Sequence, residues 1–265
     1  SATRRGLPAA HVQLAARHAA SARRGAPEDF GRAGAILLGD LLLMWSVELF
    51  TSCGAPPELL ASAQPLMAAV RAEVTGGQYL DISAQTRSPL DARRSPEAVL
   101  AEVRRVVEFK TAKYTVVRPL QVGAALGGGT GALLDALADY GSPLGRAFQY
   151  RDDVLGVFGD AALTGKPAGD DLREGKLTVL IANAMASASS GAAEELSGLL
   201  GRELPAAEVD AARELITESG ALAATEREIA DATRAAVDAL ADGPIAAPAA
   251  EGLRKLAELA TQRKS

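Results

Sequence analysis

No segment of this chain reads convincingly as a β-strand. Its apolar positions fall instead in long runs of Ala, Leu and Val, punctuated by glycine and proline. Ala and Leu are strong helix formers, whereas strand-rich folds draw on aromatic and β-branched side chains. Only 4% of residues are aromatic against 48% hydrophobic, so a core must be assembled from small and aliphatic side chains on helices. The breaks delimit the elements. A short helix over His11–Arg24 gives way to a restart at Gly25–Asp29. Phe30–Ser52 carries an almost continuous apolar load, as expected of a helix buried on most sides, and Gly54-Ala55-Pro56-Pro57 ends it. A helix is predicted over Glu58–Ser83. Another starts at Ser95-Pro96-Glu97, a capping Ser, a Pro at the first helical position and an acid in the first turn. It should run to about Val117, with Pro119 as a kink or break. Gly127–Gly131 reads as a hinge, Ala132–Phe158 as helix with an interruption at Gly141-Ser142-Pro143, and Gly159–Gly175 as a loop. Helices over Leu177–Ala188, Ala192–Leu200, Ala206–Glu218, Ala221–Ala241 and Ala249–Gln262 complete an expected all-α bundle, one domain over residues 1–265 of roughly ten helices.

A net charge of −5 and a pI near 5.3 give no pull toward nucleic acid. The single cysteine, Cys53, excludes an internal disulfide framework, fits a reducing compartment and is expected to be a small buried side chain. The Ala33–Val47 run is interrupted by Asp40, expected to be satisfied by a neighbouring helix, and falls short of the ~20 apolar residues of a membrane span. With no secretory signal at the start, the expected location is cytoplasmic. His11 and His18 have no ligand cluster nearby and are expected to be solvated. Gly127-x-Gly129-x-x-Ala132 has the letters of a dinucleotide fingerprint but follows a helix rather than a strand. The span from Gly159 to Gly165-Lys166 is one residue too long for a phosphate loop, and Pro167 stands where a Ser or Thr is required.

The chemistry concentrates elsewhere. In Phe148-Gln149-Tyr150-Arg151-Asp152-Asp153-Val154-Leu155-Gly156, adjacent carboxylates sit on an apolar helix with Gln149 on their face. Burying the pair is costly unless a cation intervenes, and hard oxygen ligands suit Mg²⁺ shared with substrate phosphates; a solvated acidic turn paired with Arg151 is the competing reading. Thr164–Lys176 interleaves Lys166, Asp170, Asp171 and Lys176 with turn residues, a composition that suits a metal–phosphate lid and equally an ordinary surface loop. Phe109-Lys110-Thr111-Ala112-Lys113-Tyr114 sets Lys110 and Tyr114 on one face with the Thr111 hydroxyl beside them, or is merely a solvated stripe. Arg4-Arg5 is a double fork able to clamp diphosphate oxygens, or a chance basic tail. Gln78 and Asp81, three apart, should face one direction.

The order of these pieces resembles the motif order of the trans-isoprenyl (polyprenyl) diphosphate synthases, with the nearest likeness to bacterial geranylgeranyl and farnesyl diphosphate synthases. That order is Thr-Arg-Arg-Gly, Gly-Gln-x-x-Asp, Lys-Thr, Phe-Gln-x-x-Asp-Asp, Gly-Lys, then Asp-Leu-x-x-Gly-Lys, and it spans residue 1 to about 185. The resemblance implies an isoprenoid-synthase bundle around a central apolar cavity, and a homodimer. It implies condensation of isopentenyl diphosphate with an allylic diphosphate, assisted by Mg²⁺, with three ions in the substrate-bound site. Asp152 and Asp153 would hold metal, with Asp171 behind them. Lys110, Lys166 and Lys176 would neutralise the leaving diphosphate. Arg4 would contact the allylic diphosphate and Arg5 that of isopentenyl diphosphate. Thr111, Gln149 and the Lys110 carbonyl would face the developing cation, and Gln78 and Asp81 would line the cavity. Two departures stand out: Gly156 replaces the third acid of the second Asp-rich motif, and the first such motif is expected to end two positions before Ser1. A catalytically silent partner subunit and a class I terpene cyclase are the alternatives.

Overall fold

The computed structural model describes residues 2–4, 6–21, 23–87, 90–91, 94–160, 169–241 and 243–262, with Arg4 as backbone only. Two compact units divide the chain, residues 1–60 and 61–265. The first opens with a two-residue antiparallel ladder, β1 (Thr3–Arg4) on β2 (Leu7–Pro8), in which Arg4 is opposite Leu7. This is a small departure from an expectation of helices alone. Helices α1 (Ala10–Ala20) and α2 (Pro27–Thr51) pack together at Gly31, where a Cβ would fall 2.2 Å from the His11 carbonyl oxygen.

Several expectations for this unit are corrected. His18 is buried, with Nε2 at 3.0 Å from the Arg24 carbonyl oxygen and its ring against Phe30, because it sits on the face of α1 that packs on α2. Cys53 is exposed, since it lies in the turn after α2. Helix α2 is not buried on most sides: Gly31 is its single buried residue among those described, and Leu37, Met44, Trp45 and Leu49 are exposed. Asp40 lies on the same open surface, exposed, with no ion pair to a neighbouring helix among the described residues. The 25 residues of α2 are also long and apolar enough to cross a bilayer, more than the Ala33–Val47 run suggested; length and composition alone do not show a span.

Helix α3 (Pro57–Gln85) leads into the second unit. There α4 (Pro96–Val107) begins as the sequence indicates: Ser95 Oγ accepts from the Ala98 N–H at 3.2 Å, and Val99, Val103, Val106 and Val107 bury one face. The helix then widens into a ten-residue π-helix, Glu108–Val117, before α5 (Arg118–Leu126) takes over with Pro119 in its first turn. Pro119 breaks nothing: the backbone stays helical from the π-helix through Val117 and Arg118 into α5. The hinge at Gly127–Thr130 turns the chain into α6 (Gly131–Phe158), which continues through Pro143.

A single turn, α7 (Asp170–Arg173), precedes α8 (Val179–Ser187), α9 (Ser190–Leu199), α10 (Ala206–Glu218), α11 (Ala221–Ala239) and α12 (Ala247–Thr261). Helix α6 is the axis of this all-helical unit, flanked by the π-helix, α11 and α12. Val154 and Tyr150 meet α4 and Ile229 of α11 in one apolar cluster, and Tyr140 meets α12 in another. Where α6 crosses the π-helix, Gly145 brings the two backbones together; a Cβ there would fall 2.4 Å from the Ala112 Cα.

Candidate active site

Between α3, α4, the π-helix, α6 and the start of α8 lies a cavity of about 170 Å³. Its apolar wall is Val103, Val106, Val107 and Leu177; its polar side gathers Asp81, Lys110, Thr111, Gln149, Asp152, Asp153, Asp171 and Lys176. Residues from positions 81 to 178 of the chain therefore converge on one hollow. Arg151, the competing partner for the carboxylate pair, points elsewhere: its fork takes Glu226 of α11 at 2.6 and 2.7 Å, and its Nε donates to the Thr261 carbonyl. Helical geometry explains this, since Arg151 precedes Asp152 by about 100° around the axis of α6.

The polar side chains form a relay. The Thr111 hydroxyl donates to Gln149 Oε1 at 2.6 Å, and Gln149 Nε2 donates to Asp153 Oδ1 at 2.8 Å. Asp153 is buried, and it also accepts from the Val179 backbone N–H at the start of α8. Burial above all pushes its carboxyl up, to about 7, against the pull of Gln149 and with the charges of Asp171 and Asp152 adding to the rise. Asp171, also buried, binds the Lys176 ammonium, which Glu174 meets at 2.8 Å. Burial would pull that ammonium down, but Asp171 and Glu174 hold it well above the usual lysine range. On the opposite side Lys110 is bound by Asp81.

Carboxylates that repel one another beside lysines suit a divalent cation whose remaining ligands are water and phosphate oxygens. Among the described residues no three His, Cys, Asp or Glu side chains form a ready-made metal cage. The donor set thus fits a metal that arrives shared with a phosphorylated substrate rather than one held by protein alone.

Not every expected residue reaches the cavity. Gln78 is exposed and does not line it, because α3 turns Asp81 inward and Gln78 away. Tyr114 is half-exposed and does not line the cavity. Lys166 and Arg5 lie outside the described residues, as does the Arg4 side chain. Residues that sequence reasoning passed over are the apolar wall of α4, legible in the spacing of Val99, Val103, Val106 and Val107, and Glu73, which no motif marks.

The family model described as Polyprenyl synthetase matches residues 1–217. A geranylgeranyl diphosphate synthase of Methanosarcina mazei is 31% identical over 219 residues, 83% of this chain and 58% of its own length. Among solved structures, a geranylgeranyl pyrophosphate synthase of Corynebacterium glutamicum, complexed with isoprenyl diphosphate and magnesium, superposes with a TM-score of 0.90 at 41% identity over 99% of this chain and 72% of that one. A polyprenyl synthase of Caulobacter crescentus, complexed with calcium and isoprenyl diphosphate, gives 0.74 at 32% identity over 96% and 75%. The chain spans a little over half the length of the first curated relatives it matches.

Proposed function

We propose, from the premise that this chain belongs to the polyprenyl synthetase family, that the protein condenses isopentenyl diphosphate with an allylic diphosphate and releases diphosphate. The convergence of Asp152, Asp153, Lys110, Lys176, Thr111 and Gln149 on one cavity with an apolar wall carries this reading. Ionising an allylic diphosphate separates charge, so the leaving group needs fixed cations and the carbocation needs dipoles in a dry pocket.

Asp152 and Asp153 would hold Mg²⁺, which when bound supplies Lewis-acid stabilisation of the departing diphosphate. Lys110 and Lys176, already poised by Asp81 and Asp171, bring ammonium groups to the same oxygens. Thr111, whose hydroxyl donates its hydrogen bond to Gln149, leaves its oxygen lone pairs to face the cation. Val103, Val106, Val107 and Leu177 keep water from that centre. The electron pair of the isopentenyl double bond forms the new C–C bond, and the proton then lost passes to the released diphosphate. Lys166, Arg4 and Arg5 belong to the same proposal as diphosphate contacts, and three magnesium ions as its full complement.

Residues 1–265 are taken as one domain, supported by a family match that runs across the division at residue 60. A homodimer is supported by the open apolar stripe of α2, and a cytoplasmic location by the lone exposed thiol. The relatives named above are all prenyl diphosphate synthases, which gives the silent-subunit and cyclase alternatives no support. The test is turnover of isopentenyl diphosphate with dimethylallyl, geranyl and farnesyl primers by the full-length protein, with product mass as readout. Magnesium dependence and a loss of about 100-fold or more in Asp152→Ala are expected. Wild-type rates in Asp152→Ala with the helical circular dichroism unchanged remove the assignment.

A further inference from the structure

The π-helix delivers Lys110 and Thr111 to the cavity over ten residues. Such helices seldom exceed one turn, so a stretch of this length needs support from outside itself. One face of α3 supplies it through Glu73, Gly77 and Asp81, at successive four-residue steps. Asp81 binds the Lys110 ammonium. Gly77 lets α3 rest on the backbone of the π-helix, where a Cβ would fall 2.4 Å from the Lys110 nitrogen. Glu73 gathers two cations: Lys113 Nζ donates to Oε1 at 2.8 Å, and Arg118 donates from Nη2 to Oε1 and from Nε to Oε2, both at 2.7 Å.

That convergence depends on the π register. Lys113 and Arg118 are five residues apart, and the Arg118 N–H donates to the Lys113 carbonyl across one wide turn. An α-helix, at 3.6 residues per turn, would set them about 140° apart, and one carboxylate would not meet both. Arg118 is braced further by Gln121, whose Oε1 accepts from Nη1 and whose Nε2 donates to the Leu134 carbonyl, both at 2.8 Å. The cluster is mostly buried, with Glu73 at 16% and Arg118 at 19% side-chain exposure, and none of its members lines the cavity.

We propose that Glu73 is a positioning residue, which locks residues 108–117 in the π register and so keeps Lys110 and Thr111 aimed into the cavity. The catalytic half of this inference rests on the function proposed above; the structural half does not. Glu73→Gln keeps the shape and removes the charge that binds two cations. Hydrogen exchange read by mass spectrometry on the full-length protein is expected to speed up by about tenfold within residues 108–117, with α11 unchanged. The kcat for prenyl transfer is expected to fall about 10- to 100-fold while KM moves about threefold or less, the signature of misplaced reacting groups. Should Glu73→Gln unfold, Lys113→Met, which leaves the Arg118 pair in place, is expected to give the same two changes at smaller size. Unaltered exchange over 108–117 overturns the inference, and so does faster exchange with wild-type kcat. Lys110→Ala serves as the separate arm: full turnover there removes the reading of the cavity, while the exchange result still decides the role of Glu73.

Discussion

Replacing Gly156 by alanine asks whether the missing third acid of the Asp-rich motif left a gap or a filled space. In an exposed helix the change normally stabilises by about 0.5–1 kcal/mol, because glycine loses more backbone freedom on folding. Here the added Cβ would lie 2.1 Å from Asp171 Oδ2 and 2.5 Å from its Cγ, so Asp171 has to move. Its side chain is 7% exposed and bound to Lys176, so leaving means giving up a charge-assisted hydrogen bond worth about 1.5–3 kcal/mol. Crowding a packed site adds about 1–3 kcal/mol. Glu174 stays with Lys176 and softens the first cost, so the lower ends apply and the net loss is about 2 kcal/mol. Urea unfolding should show a lower midpoint at unchanged slope. In an Asp171→Ala background the same substitution should instead stabilise by about 0.5–1 kcal/mol, giving a coupling that a double-mutant cycle reads directly. A Gly156→Ala protein as stable as wild type in the native background would refute the reasoning, since Asp171 would then swing aside freely.

Tyr140→Phe should cost about 1–2 kcal/mol by chemical denaturation, because the Leu253 carbonyl loses its 2.8 Å donor in a buried site. Burial pushes the same phenol up to about 12 from 10, so folding favours its neutral form: that stability is intact below pH 10 and drains away as pH rises toward 12. A stability–pH curve should show the loss, and Tyr140→Phe should abolish this part of it. The proposed homodimer predicts that the wild type sediments as a dimer and Leu42→Asp or Trp45→Asp, on the open stripe of α2, as a monomer; unchanged sedimentation would count against that surface as the interface. Gly145→Ala should lower both stability and turnover, by at least about 1–3 kcal/mol in the former, because two backbones have to part to admit one methyl.

Most helices were legible, and a start such as Ser95-Pro96-Glu97 at α4 carries its own chemistry, whereas the breaks expected at Pro119 and Gly141-Ser142-Pro143 do not occur. The site was legible as an order of short motifs, and Lys110, Thr111, Gln149, Asp152, Asp153, Asp171 and Lys176 do meet. Periodicity could not show the π-helix, because a widened turn changes no residue type and shifts each face by only one position. Gln78 was placed with Asp81 on spacing alone, yet three residues turn a helix by about 300°, and the cavity accepts just one of the two. The surface of α2 was misjudged for a different reason: an apolar run says that a helix shuns water, not what covers it. Glu73 was invisible because its partners lie 40 and 45 residues away and only the fold brings them to it.

The contact of Gly145 with Ala112 holds α6 against the π-helix, and with it the pairing of Gln149 and Thr111. Neither Gly145 nor Ala112 lines the cavity, yet any side chain larger than hydrogen at Gly145 parts the two helices that carry Gln149 and Thr111. Space for a longer or bulkier guest has to be carved from the valine side, at Val103, Val106 or Val107, where trimming a side chain leaves both main chains undisturbed.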